Sequence, residues 1–107
     1  MYEINNYLTE SEQDPYATWL SNLRDRQAKA RVIVRVDRMS TGNFGDVKHL
    51  GDGIWEARID WGPGYRVYYA IAGKKIILLL LGGDKQNSDV LTAKEYWADW
   101  QIRRKLK

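Results

Sequence analysis

Two arginines on either side of a glycine-rich turn, Arg58 and Arg66, and a lysine closing Gly82-Gly83-Asp84-Lys85 are the side chains of this sequence best suited to handling an anion. A guanidinium fork matches two phosphate oxygens, and two forks beside a phosphodiester stabilise the added charge of a pentacoordinate transition state. Cleavage assisted by a ribose 2′-hydroxyl also needs groups that accept and donate a proton, and Glu56, Asp60, Tyr68, Lys85 and His49 are of suitable type nearby. There is no cysteine and one histidine, so neither a thiolate site nor a histidine-based metal site is expected, and no cofactor is called for.

Those residues sit in strands. Ile54–Trp61 and Tyr65–Ile71 flank Gly62-Pro63-Gly64 and predict an antiparallel pair joined by a three-residue turn. That turn sets Trp61 opposite Tyr65, Asp60 opposite Arg66 and Arg58 opposite Tyr68. Period-two alternation then gives Trp55, Ala57, Ile59, Trp61, Tyr65, Val67 and Tyr69 to a core face. Glu56, Arg58, Asp60, Arg66 and Tyr68 share a polar face. An ion pair between Asp60 and Arg66, worth about 0.2–1 kcal/mol, accounts for that face without any ligand, so a structural and a phosphate-binding reading both stand. The same holds for Lys48-His49, either a solvated junction or a phosphate and proton-transfer contact, and for the glycine pair, either a strand-to-helix turn with Asp84 or a neighbour as cap or part of the site.

The elements that must position these residues follow from the rest of the chain. Tyr2–Leu8 reads as a first strand, and Asp14-Pro15 is a helix start, since the carboxylate accepts from first-turn amides and Pro costs nothing there. A helix over Pro15–Leu23 is followed by a second, capped by Asp25 and running to Met39, with Ala28, Val32, Val36 and Met39 on its buried side. Lys29, Arg31, Arg35 and Arg38 form its solvated face. After the Ser40–Asp46 loop come three strands, the last (Lys75–Leu81) apolar throughout and therefore central. A final helix from Ser88 or Asp89 buries Val90, Ala93, Trp97 and Trp100, and Arg103–Lys107 complement its negative end. The order is α+β: strand, two helices, a three-stranded antiparallel meander and a C-terminal helix.

A length of 107 residues fits one domain, spanning 1–107. The longest apolar run, Ile76–Leu81, is far short of the roughly 20 residues of a membrane helix, and no secretory leader is visible, so a cytoplasmic protein without membrane contact is expected. A net charge of +3 leans only mildly towards an anionic partner.

The run Glu56–Tyr69, followed by Leu79–Lys85 and Ala93-Lys94, resembles the RelE/ParE toxin superfamily, and within it the HigB-like addiction-module killer proteins. The resemblance covers nearly the whole chain, and its element order agrees with the one above. It implies the toxin of a type II toxin–antitoxin system: a ribosome-dependent mRNA endonuclease that enters the A site, neutralised by a cognate helix-turn-helix, HigA-like antitoxin. The alternatives it leaves are a ParE-like inhibitor of gyrase without nuclease activity and an inactive antitoxin-binding homologue. On this resemblance Arg66 matches the transition-state arginine, Arg58 a basic residue holding the RNA backbone, and Lys85 a second catalytic cation. Lys48 joins them as an RNA contact. Lysine at 85 keeps the charge without the fork, and Leu91 falls where RelE members carry a tyrosine. Proton transfer is then left to Glu56, Asp84, His49 or Tyr68.

Overall fold

Asp14 accepts a hydrogen bond from the Ala17 amide at 2.9 Å and opens α1 (Pro15–Asn22), while Asp25 accepts from the Gln27 and Ala28 amides and opens α2 (Arg26–Ser40). Both caps fall where the sequence puts them. The structure, a computed structural model, describes residues 1–105; Leu106 and Lys107 of the basic C-terminal run lie outside the described residues. Along α2, Ala28, Val32, Val36 and Met39 are buried at the expected helical spacing.

The sheet has five strands in the order β1-β5-β4-β3-β2: β1 (Glu3–Asn6), β2 (Val47–Gly51), β3 (Ile54–Ile59), β4 (Tyr65–Ala72) and β5 (Ile76–Gly83). β5 is interior, as its apolar run requires, and pairs β1 in parallel and β4 antiparallel. α1 and α2 cover one face over Tyr16, Val32, Met39, Ala57, Val67 and Tyr69. The other face carries a second core of Tyr7, Ile54, Tyr68, Ala70, Leu78 and Leu80 under α3 (Gln86–Lys105). This α+β fold is compatible with the RelE-like arrangement. No helix of the described residues is long and apolar enough to cross a membrane.

Several boundaries differ from the sequence reading, β1 being shorter at both ends, and those that position the site differ for local reasons. β2 is an additional strand: Asp52 (φ 53) and Gly53 (φ 80) make the left-handed turn that folds it back on β3, so the meander has four strands rather than three. β3 stops at Ile59 because Trp61 leaves the ladder. Its indole N–H donates to Asp25 at 2.9 Å, and the Arg31 guanidinium lies 4.0 Å from its ring. The connection is therefore longer, with Ile59 opposite Tyr65, Arg58 opposite Arg66 and Glu56 opposite Tyr68. A slip of two residues keeps every side chain on its expected face but replaces every partner. Asp60 is consequently not across from Arg66.

The glycine pair is not a turn. Gly82 and Gly83 are the last residues of β5, and α3 starts at Gln86, two residues earlier than expected. A Cβ on Gly82 would lie 2.0 Å from the Trp19 ring, and one on Gly83 would lie 2.1 Å from Asp89 Oδ2. Bare backbone here lets α1 and α3 close on opposite faces. Asp89, not Asp84, serves the helix start, accepting from the Lys85 amide at 3.0 Å. Gly82→Ala is expected to push the indole out of its seat at a cost of about 1–3 kcal/mol, read as a fall of at least roughly 4 °C in Tm.

The second face is not an open polar surface either, since α3 buries Glu56 and Tyr68 completely. Tyr7 is also buried here; its hydroxyl donates to Asp99 at 2.6 Å and its ring stacks on Tyr96. Burial first, and then the hydrogen bond to Asp99, pushes its hydroxyl up to about 12, and burial does the same for Tyr16 and Tyr69. These hydroxyls ionise near 10 in the unfolded chain, so between about pH 10 and 12 the folded state holds more protons and stability falls as pH rises. A urea-midpoint series is expected to be unaffected by these groups well below pH 10 and to fall above it, by up to about 1.4 kcal/mol per pH unit for each tyrosine.

Candidate functional site

Arg58, Arg66 and Gly83 lie abreast on neighbouring strands, on the sheet face covered by α3. Two like charges directly opposite one another are unfavourable in an antiparallel pair. Glu56 offsets that repulsion. Its carboxylate is fully buried, with Oε2 3.6 Å from Arg66 Nε and Oε1 4.0 Å from Arg58 Nε. Gln86, the first residue of α3, donates to Oε2 at 2.9 Å and ties the helix start to the carboxylate. One buried acid thus takes the inner edge of both guanidinium groups. Glu56 Oε1, Arg66 Nε and Tyr68 Oη nevertheless lack a hydrogen-bond partner, so the cluster is held by charge more than by well-formed hydrogen bonds.

Outward from Glu56 the two arginines differ. Arg58 is half-exposed and bonds Asp46 at 3.0 Å, while its backbone amide donates to the Asp46 carbonyl, which also accepts from Arg35. Arg66 has no second carboxylate within ion-pair distance among the described residues. It stands where two shallow depressions meet. One is walled by Asp46, Arg58, Asp60 and Tyr65, the other by Asp84, Lys85 and the first turn of α3. The second adds Lys85 and α3's first-turn amides, which favour negative charge.

The structure therefore sets Arg66 between Arg58 in one depression and Lys85 in the other, with exposed Asp84 beside Lys85. Lys48 sits opposite Glu56 on β2, exposed and on the same sheet face. His49 does not join them. It is paired with Trp55, its ring 4.7 Å from that indole, and so belongs to the α1/α2 face. Glu56 and Tyr68 are at the site but under it, and burial together with the Glu56 and Asp89 charges pushes the Tyr68 hydroxyl well above its usual range. Leu91 is exposed hydrocarbon. Of the four proton-transfer candidates, Asp84 alone combines exposure with a place beside Arg66.

Sequence reasoning named Glu56 as an acid or base and missed its part as shared counter-ion, as it missed Gln86 and Asp89. A signal existed in the spacing of Glu56 and Arg58, which puts them on one face of one strand. The two-residue slip in register hid the rest, by giving Arg66 the wrong acid. Among the described residues there is no group of three or more His, Cys, Asp or Glu able to hold a metal ion.

An uncharacterized protein of Haemophilus influenzae is 47% identical to this chain over 81 residues, which cover 74% of the chain and 82% of that protein. Residues 18–102, from α1 to near the end of α3, match the family described as phage-derived protein Gp49-like (DUF891). That span holds all the residues gathered around Glu56, and the chain belongs to the Gp49-like family of phage-derived proteins, a RelE-type, toxin-like family.

Proposed function

We propose that the chain is the toxin of a type II toxin–antitoxin pair, of the HigB-like kind, and that it cleaves mRNA on the ribosome. The observation carrying this reading is the facing pair Arg58 and Arg66 on one buried carboxylate. Glu56 holds the inner edges of both groups, which leaves outer N–H groups of Arg66 free for phosphate oxygens. In the proposed step the ribose 2′-oxygen attacks phosphorus and the bond to the 5′-oxygen breaks, giving a 2′,3′-cyclic phosphate and a 5′-oxygen that takes its proton from water. Arg66 stabilises the charge gathering on the non-bridging oxygens, Arg58 and Lys48 hold the backbone, and Lys85 adds a point charge on the far side. Asp84, exposed in the depression that Arg66 shares with Lys85, accepts the 2′-proton.

Purified protein in a translating extract is expected to give discrete cuts within A-site codons, mapped by primer extension. Intact mRNA at a dose that halts growth, or DNA breakage with translation unimpaired, overturns the nuclease reading. The partner belonging to this proposal is a small helix-turn-helix antitoxin, and co-expressing the adjacent reading frame is expected to abolish the cuts.

A further inference from the structure

The C-terminal half of α3 and the β4–β5 turn border a second, open cationic cleft, remote from Arg66. Trp97, Trp100 and Arg104 on α3 face Lys74 and Lys75 in the turn, above the small side chain of Ala72. The two indoles are stacked, 5.4 Å between centroids and 15° from parallel, and the Arg104 guanidinium lies 5.0 Å from the Trp100 ring. Trp100 stands 14 residues beyond Gln86, about 21 Å along the helix axis, so this cleft is not an extension of the Arg58–Arg66 depressions.

Packing alone does not account for its charge. Of the cations of α3, Lys94 is paired with Asp52 at 3.2 Å and Arg103 with Asp99 at 2.7 Å. Lys74, Lys75 and Arg104 have no carboxylate within ion-pair distance among the described residues, and no acid lines the cleft. Lys74 and Lys75 are exposed in a turn made by Gly73 (φ 61), so the hairpin projects them beside the indoles. Three unpaired cations around an aromatic stack complement a ligand that is flat and apolar at one end and anionic at the other. A nucleotide has that form, and every base offers a π-face.

We infer that this cleft binds an unpaired nucleotide of a single-stranded nucleic acid, its base against the indole stack and its phosphate between Lys74 and Lys75. Arg104 occupies the planar, cationic position over Trp100 that a base takes on entry, and it then turns to the phosphate. The inference does not depend on the cleavage reading, because it concerns binding without ribosomes.

The test is done in a background carrying Lys48→Ala, Arg66→Ala and Lys85→Ala, so that the first cationic site keeps only Arg58, which Asp46 and Glu56 already engage. Fluorescein-labelled single strands of about six nucleotides, ribose and deoxyribose, are titrated with the protein while tryptophan fluorescence is followed. Binding is expected with quenching and with a log–log salt slope of about −2, as for three phosphate contacts to a single strand. Lys74→Glu with Lys75→Glu, exposed turn changes that leave the core alone, is expected to weaken binding at least tenfold. Trp100→Leu, checked by thermal melting, is expected to do the same roughly tenfold or more. A preference for either sugar identifies the source and supports the site. Unchanged affinity in the double lysine variant overturns it. So does equally tight binding of an RNA duplex or a polyglutamate peptide, which marks a bare charge patch.

Discussion

Arg66→Ala is expected to slow mRNA cleavage on the ribosome by about 10²–10³-fold, the loss found when one preorganised donor to a transition-state oxyanion is removed. The geometry makes the change specific. Arg66 is partly exposed, its inner edge faces Glu56, and it has no Asp46 equivalent to hold its outer edge. Removing it leaves Glu56 with Arg58 and Gln86, so the fold is expected to persist. Arg66→Lys keeps a charge but loses the fork, and it is expected to recover no more than about tenfold of the deficit. Single-turnover cleavage, with ribosome binding measured separately, is the check. A wild-type rate in Arg66→Ala assigns the chemistry elsewhere.

Glu56→Gln is expected to move binding and turnover in opposite directions. Taking a negative charge from about 8 Å behind a bound phosphate favours the anion by roughly 2 kcal/mol at an effective dielectric constant of 20, so phosphate-analogue affinity rises by tenfold or more. The neutral amide no longer offsets the repulsion between Arg58 and Arg66, whose forks lose their alignment, and kcat is expected to fall by about 10²-fold. Volume is conserved, and a side-chain oxygen remains to accept from Gln86. Glu56→Ala removes that oxygen too, leaves a cavity where the buried side chain was and takes away the counter-ion of both arginines, with an expected loss of about 2–5 kcal/mol in stability. A purely structural Glu56 would lower affinity, turnover and Tm together in both variants.

Much of the fold was legible because its signals are local. Asp14-Pro15 and Asp25 mark helix starts through their own side chains, and the apolar stretch of β5 announces an interior strand. The sheet faces were legible too, since alternation survives a slip of two. The register was not, because it depends on Trp61 choosing Asp25 and Arg31, residues about 30 or more positions away, over the strand ladder. The candidate site inherited that difficulty. Arg58, Arg66 and Lys85 were identifiable by type and spacing, whereas Glu56 becomes their counter-ion only once register and the α3 lid are known. His49 was drawn in by its chemistry and excluded by parity, one position along β2 from Lys48.

The parallel pairing of β1 with β5 carries a consequence for how the molecule is made. Residues 3–6 find their partners some seventy residues later in the chain, at 76–79, and so wait unpaired while the intervening residues are made. Every residue gathered around Glu56 comes from position 46 onward, and its lid, α3, follows all five strands in the chain. Contacts this distant in sequence close slowly, after local helices have formed. A nascent chain therefore presents capped helices and loose strands long before Arg58 and Arg66 face each other, and whatever these arginines do, they begin to do it only once α3 has been made to close over Glu56.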